Sequence, residues 1–411
     1  MTLEFEKVVP QVERMGRALA ARNITLSERG EIAWQMFQSL GDLDAIHARI
    51  QLARDRDAGF RGAAPLHEPV NRAYPRPDPP RLATILAADG SQVYPNTHGA
   101  ALYYLTNVGV FVYHHGLDEL PEQLTEPVLC YTDALLHDER GQVISNAAVN
   151  ARRTVHELQV LARETWNRRG LGRPLLAISD GPLLFWVGKD VPDGRQLQDD
   201  YLAAMVHLHD AHVALQQTSG HSASTIGYVD RPTSAFVVSL VYLMSLIPDE
   251  VRAAALETNG PLEGLIDQWL MFRLLRPGER SALFVQQSPQ NKRYRDRGES
   301  YEIVFFYLNV GQPHAYHLAR VEMPAWVAKD PARVDEVHAL LMAQCEMMWR
   351  YPYALTRADE LAVVRSIERT QLDELIEIEL RRNTQTVELS EKLEAKVVRH
   401  GRTRYGERRR R

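Results

Sequence analysis

Leu82-Ala-Thr-Ile-Leu-Ala-Ala-Asp-Gly-Ser91 decides the fold: a short apolar run that breaks off at Asp89-Gly90-Ser91, as a buried strand that stops in a turn would. The same pattern returns later, where Pro174-Leu-Leu-Ala-Ile178 runs into Ser179-Asp180-Gly181. A carboxylate at the end of a buried strand is held rigidly, and a following glycine lets the backbone turn without steric cost. Such positions suit metal ligands, although Asp-Gly is also among the commonest ways to leave a strand.

Between these two runs, Tyr103–Tyr113 and Pro127–Thr132 are rich in β-branched and aromatic residues and read as two further strands, giving a three-stranded meander. From about Asn146 to Arg169 the pattern becomes helical. Val155, Leu158 and Leu161 form the buried face, and Glu157 lies beside it. Helices are expected over 195–218, 233–247, 261–275, 332–348 and 358–382, and strands over 282–286, 301–309 and 315–322. Residues 1–60 open the chain as helices, with Val9, Val12, Met15 and Leu19 on one stripe and Ile32, Met36, Phe37 and Leu40 on another. Residues 61–81 carry many prolines and read as a linker. The main domain is placed at 82–365, and 366–411 form a C-terminal helix and basic tail. Arg276–Gly298 reads as a mobile loop or edge hairpin. The class is α/β.

The 411 residues are long enough for two or three domain-sized units. A net charge of −5 argues against a uniformly basic nucleic-acid coat, but it hides a segregation. Residues 396–411 hold eight basic side chains against one acid, a net of +7, which leaves −12 for the remainder. Cys130 and Cys345 are too few for a disulfide framework or a four-thiolate zinc site, which fits a reducing cytoplasm. The N-terminus lacks the apolar core of a signal peptide. The longest apolar stretch, Ala235–Ile247, falls short of the roughly 20 residues of a bilayer span.

Strand with Asp89, two more strands, helix with Glu157, strand with Asp180, then a late helix with Tyr351 and Asp359 is the order in which ribonuclease H-like nucleases place their acids. Such carboxylates would repel one another without cations, and hard oxygen ligands select Mg²⁺ or Mn²⁺ over zinc. Ala87-Ala-Asp-Gly-Ser91, Arg153-x-x-x-Glu157, Ile178-Ser-Asp-Gly-Pro-Leu-Leu184, Ile226-Gly-Tyr-Val-Asp230, Ala319-Arg-Val-Glu-Met-Pro324 and Arg350-Tyr-Pro-Tyr-Ala-Leu-Thr-Arg-Ala-Asp-Glu-Leu-Ala362 together resemble the NurA nucleases over about 82–365.

The resemblance implies a ribonuclease H-like, PIWI-like core: a mixed sheet flanked by helices. It also implies a Mn²⁺-dependent (or Mg²⁺-dependent) nuclease with two ions, acting on single-stranded DNA and duplex ends. A homodimeric ring working with HerA, a hexameric DNA-translocating ATPase, in end resection is implied too. Asp89, Glu157 and Asp180 then become metal ligands and Tyr351 the tyrosine of the late motif. Asp359 stands where that family usually has histidine, and an acid there cannot exchange protons near pH 7 as imidazole does. Glu164, two turns along the same helix, is the alternative to Glu157.

Other groups carry weaker signals. Of His207, His209 and His212, at most two can share an ion on a helix. Ser91 lacks the Gly-x-Ser-x-Gly elbow of a nucleophile and is expected to cap the turn or position a metal-bound water. No phosphate-binding GxxxxGK[ST] occurs, so ATP hydrolysis must come from a partner. His317 or Arg320, the Arg276–Arg297 run and the basic tail are candidate phosphate contacts. Two further readings stay open: a weakly active or inactive ring subunit that guides DNA, and degradation of phage DNA in defence.

Overall fold

The computed structural model describes residues 3–189 and 191–383; the basic tail lies outside the described residues. The chain opens with α1 (Phe5–Gln38), α2 (Leu43–Asp55) and β1 (Ala63–Pro65), followed by β2 (Ala83–Val93), β3 (Tyr104–His115) and β4 (Glu122–Cys130). Next come α3 (Asp133–Leu136), α4 (Asn146–Asn167), β5 (Leu175–Asp180), α5 (Gly194–Ser219), β6 (Ala223–Asp230) and α6 (Phe236–Ser245). Then follow α7 (Ala253–Leu256), α8 (Gln268–Leu274), β7 (Phe284–Gln286), α9 (Pro289–Arg297), β8 (Ile303–Asn309) and β9 (Leu318–Pro324). The last helices are α10 (Ala325–Ala328), α11 (Pro331–Met347), α12 (Tyr353–Ala362) and α13 (Ser366–Arg382). None of the described helices is long and apolar enough to cross a membrane.

The chain divides into two compact units that interleave in sequence. One takes the chain up to Arg81 with Asp180–Leu184 and Ser224–Tyr353; the other takes Leu82–Ser179, Phe185–Ala223 and the chain from Ala354. In the second unit the strands run β5-β2-β3-β4, with β5 parallel to β2 and the rest antiparallel. That is a mixed sheet in the expected ribonuclease H-like order, β2-β3-β4-α4-β5.

β2 does not stop at Asp89. It runs on through Gly90 and Ser91 to Val93, pairing with β3 throughout, including Asp89↔Gly109, Gly90↔Val108 and Ser91↔Asn107. The expected turn gives way because β3 is a twelve-residue strand that can pair with all eleven residues of β2. β4 likewise begins earlier than expected and carries Pro127 within it. α4 is capped by the Ser145 hydroxyl, which accepts from the Ala148 amide at 3.2 Å. It buries Val155, Leu158 and Leu161 as the periodicity requires.

Opposite faces of β2 and β3 carry different helices. Residues directly across an antiparallel pair share a face, and neighbours along a strand alternate. Thr106 meets His156 of α4 at 3.1 Å, which puts Gly90, Gln92 and Val108 on the α4 face. Asn107 Nδ2 and Ser91 Oγ both donate to the Ala362 carbonyl, at 2.8 and 2.5 Å, which puts Asp89, Ser91 and Gly109 on the α12 face. Ser91 therefore tethers α12 instead of capping a turn. Gly109 lets that helix sit against the strand, since a Cβ there would lie 2.5 Å from the Ala358 carbonyl oxygen and 2.6 Å from the Ala362 nitrogen.

The other unit carries the antiparallel run β1-β7-β8-β9-β6. Stretches expected to be loose are packed here. The linker segment 61–81 supplies β1, which pairs with β7, and the 276–298 excursion supplies β7 and α9. An ion pair ties them: Arg280 is buried, meets Glu68 at 2.8 and 2.9 Å, and lies 4.4 Å above the Tyr74 ring. Arg280 is thus a structural cation, not a phosphate contact. β6 was not foreseen as a strand. The helix expected over 358–382 is two helices, α12 and α13, broken between Ala362 and Ser366. On α1 the first apolar stripe (Val9, Val12, Met15, Leu19) is exposed, whereas Ala33 and Phe37 are buried.

Two measurements check this packing. Gly109→Ala drives a methyl into backbone that cannot yield, so denaturant melts should show a loss at the upper end of the usual overpacking cost of about 1–3 kcal/mol. His338 of α11 is fully buried, bonded to the Gly278 carbonyl at 2.8 Å, and burial pulls its imidazole down to about 4. Its neutral form stabilises the fold above the unfolded value near 6.5, and that stability is lost as pH falls toward 4. Going from pH 6.5 to pH 5 should cost about 2 kcal/mol through this group, and melts of His338→Gln should lack that share of the pH dependence.

Candidate active site

Asp89 and Glu157 converge on one residue, Gly90. Asp89 bends back so that its Oδ1 accepts from the Gly90 amide at 2.8 Å. Glu157 arrives from α4 on the other face: a Cβ on Gly90 would lie 2.3 Å from its Oε1 and 2.9 Å from its Cδ. The glycine of the first Asp-Gly is therefore present to leave space for a carboxylate and not to permit a turn. Pairing of β2 with β5 ends at Ala88↔Ser179, and the next residue of each strand is an aspartate, Asp89 and Asp180.

Glu157 is 5% exposed, and a carboxylate so placed needs a countercharge. Arg153, one turn earlier, supplies it: Nε stands 3.0 Å from Glu157 Oε1, while the other end of the guanidinium donates to the Gly90 carbonyl at 2.9 Å. Arg153 thus straddles the same glycine. Glu164, the alternative, is engaged differently, with Arg168 at 2.8 Å and Arg163 at 3.2 Å. Those arginines continue outward to Glu122 and Glu126. Glu164 belongs to a charge lattice along α4 and β4, and Glu157 to the Asp-Gly step.

Asp180 closes β5 and is exposed, and Gly181 turns the chain at φ 89°, so here the turn reading of Asp-Gly holds. The Tyr351 hydroxyl donates to Asp180 Oδ1 at 3.0 Å. Tyr228 of β6 packs edge-on against Tyr351, with centroids 5.3 Å apart. Behind Asp180 the turn is pinned at several points. Gly181 donates to the Tyr228 carbonyl at 2.8 Å, Leu183 donates to Glu322 Oε2 at 2.8 Å, and Tyr294 donates to the Leu183 carbonyl at 3.0 Å.

Glu322 is itself held by Arg320 at 2.8 Å, Arg320 donates to Ser234 at 3.0 Å, and Ser234 meets Tyr307 at 2.8 Å. Tyr307 donates to the buried Asp267 at 2.5 Å. Burial pushes the Asp267 carboxyl up to about 6 despite that bond and others from the backbone at the start of α6. Arg320 is accordingly spent inside the protein, and His317 pairs with Asp230, so neither is a phosphate contact. Tyr228 and Glu322 were not assigned roles from sequence; each lies in a quoted motif, but spacing alone carries no sign of what it touches.

Asp359 lies exposed on α12, immediately after Ala358, whose carbonyl packs on Gly109, the cross-strand partner of Asp89. His212 is buried and accepts from the Ala223 amide at 3.2 Å, and His207 packs 5.4 Å from Trp166. The histidine triplet thus serves packing. Among the described residues no three of His, Cys, Asp and Glu stand as a ready-made metal cluster. The Asp89, Glu157, Asp180 and Asp359 carboxylates nevertheless supply only hard oxygen donors, which fit Mn²⁺ or Mg²⁺ and not zinc.

A family model described as the NurA domain matches residues 83–364. The chain is similar to the solved structure of the NurA nuclease from Sulfolobus solfataricus, with 11% identity and a TM-score of 0.48, over 92% of this chain and 98% of that one. It is also similar to a structure of NurA bound to dAMP and manganese, with 10% identity and a TM-score of 0.36, over 74% of this chain and 90% of that one. Comparison with curated proteins gave no match. The family model covers most of the chain, from the start of β2 to just past α12, and takes in every candidate residue from Asp89 to Asp359: the chain belongs to the NurA domain family.

Proposed function

We propose that this protein is a metal-dependent deoxyribonuclease that cuts single-stranded DNA and duplex ends. Asp89, Glu157 and Asp180 hold Mn²⁺ or Mg²⁺, two ions in all, and Asp359 completes the acid set. The observation that carries this reading is the approach of Glu157 to Gly90, which brings a helix carboxylate to the strand residue next to Asp89. Membership of the NurA family supports it. When bound, the cations would activate water and neutralise the charge developing on a phosphodiester.

The chain's own residues do the rest. Asp89 and Asp180 present rigid oxygens from strand positions. Glu157 exchanges the Arg153 guanidinium for a cation, so Arg153 balances the buried charge when the acid is not otherwise engaged. The Tyr351 hydroxyl fixes the orientation of Asp180. Asp359, standing in place of histidine, offers a hard carboxylate oxygen and no imidazole, which favours metal holding.

The proposal extends to a cytoplasmic homodimer working with a HerA-type hexameric translocase in end resection, double-strand break repair or anti-phage defence. The exposed apolar stripe of α1 supports self-association. The rival reading is a weakly active or inactive dimeric ring subunit that caps the ATPase and guides DNA, favoured by Asp359 alone. Activity appearing only in Asp359→His would establish it.

Cleavage of labelled single-stranded DNA in Mn²⁺ tests the site. Asp89→Asn should lower the rate at least about a hundredfold, and cleavage that persists unchanged would remove the proposal. Gly90→Ala is the sharper variant. Its methyl meets the Glu157 side chain from Cγ to the carboxylate and no backbone, so the side chain must swing away and activity should fall at least about tenfold while the chain still folds with a cooperative melt; full activity would show that the Glu157 placement is irrelevant to cleavage. Mn²⁺ should also raise the melting temperature of the wild-type chain and not of Asp89→Asn, with chelator reversing the gain.

A further inference from the structure

Tyr351 is reached through a strained piece of backbone. α11 ends at Met347, and the chain leaves it through Trp349 at φ 55° and Arg350 at φ 92°, both left-handed and neither glycine. The cap is well made: the Arg350 amide donates to the Cys345 carbonyl at 3.0 Å, and the Tyr228 hydroxyl donates to the Arg350 carbonyl at 3.2 Å. Glycine closes a helix in this way without steric cost, and most helices that end left-handed use it. A tryptophan in that position carries the cost for the sake of its side chain, and strain held by surrounding structure gathers at functional sites.

The side chain so placed is an indole in water. Trp349 is 74% exposed, and Met347 and Met348 before it are 44% and 40% exposed, a run of three consecutive exposed apolar side chains. Trp349 also forms a wall of a cleft of about 440 Å³, whose other sides include Pro75, Arg76, Pro277 and Arg350. That volume lies in the range of clefts that take small organic ligands. Only Arg350 separates Trp349 from Tyr351, so their Cα atoms are within about 7 Å, and Tyr351 holds the Asp180 carboxylate. A flat, exposed aromatic face is what a single-stranded nucleic acid uses for base stacking, and Arg76 and Arg350 put positive charge on the same cleft.

We propose that Trp349 stacks on a nucleobase of the single strand being cut and so seats the neighbouring phosphodiester at Asp180. The proposal rests on the nuclease reading of the site. Trp349 is a substrate-binding residue, and the contact is blind to base identity because every base offers a π-face.

The test is fluorescence anisotropy of the full chain with labelled oligo-dT of about 16 nucleotides, within the usual site sizes of single-strand binders. Ca²⁺ replaces Mn²⁺ to slow cleavage, and cleavage in Mn²⁺ is assayed alongside. Trp349→Ala should weaken binding about tenfold, and Trp349→Phe should keep most of the affinity. On an abasic strand of the same length, wild type and Trp349→Ala should bind alike, an equality that a general structural defect would not give. Equal affinity of wild type and Trp349→Ala for oligo-dT overturns the proposal, and so does an equal loss on the abasic strand. If the wild type cuts DNA and Trp349→Ala is unchanged, stacking alone fails; if the wild type neither cuts nor binds, the nuclease reading fails and stacking with it.

Discussion

The approach of Glu157 to the backbone at Gly90 is the constraint on which the rest of the site depends. A helix acid packed over a sheet normally stops at the side-chain layer of the strand beneath it. Here the strand has no side chain at that one position, and the carboxylate comes down beside the residue that follows Asp89. Two consequences follow from that gap. Glu157 is buried and must be compensated, which fixes Arg153 one helical turn away. α4 must lie with Glu157 over Gly90, which its buried Val155, Leu158 and Leu161 enforce. On the other face of the same strand pair, Gly109 leaves room for α12.

Each glycine does its work by absence, and the two open opposite faces of one β-hairpin. Gly90 admits a side chain, and Gly109 admits a helix backbone. The difference explains why substitutions at the two positions diverge: a flexible carboxylate can move away from a methyl group, whereas a helix held by Asn107 and Ser91 cannot. Asp180 depends on a different kind of support. Its turn is nailed down from beneath by Glu322, Tyr294 and the Tyr228 carbonyl, and its side chain is met by Tyr351. A buried chain from Asp267 to Arg320 stands behind Glu322.

Much of this was legible in the sequence, because apolar runs, helical spacing and the order of acids are local signals. The β2-β3-β4 meander, α4 with Glu157 on it, and β5 ending at Asp180 follow from such signals. What was not legible is long-range. The apolar run before Asp89 looks terminated by Asp-Gly-Ser, and only the length of β3 keeps those residues in the sheet. The prolines of 61–81 and the charges of 276–298 each suggest loose chain, and they order one another through Arg280 and Glu68, which lie far apart in sequence. β6 was missed because Ala223–Asp230 mixes small, polar and aromatic residues, and its burial comes from neighbours that a local window does not see. The strain at Trp349 and Arg350 leaves no compositional trace at all.

Crystals soaked in Mn²⁺ and measured for anomalous scattering at the manganese edge test whether Asp89, Glu157 and Asp180 hold divalent cations as proposed. Anomalous peaks in contact with carboxylate oxygens of Asp89, Glu157 and Asp180, with Arg153 drawn away from Glu157, are the predicted result. Manganese bound elsewhere, with the Arg153–Glu157 pair intact and no peak beside Asp89, would contradict it.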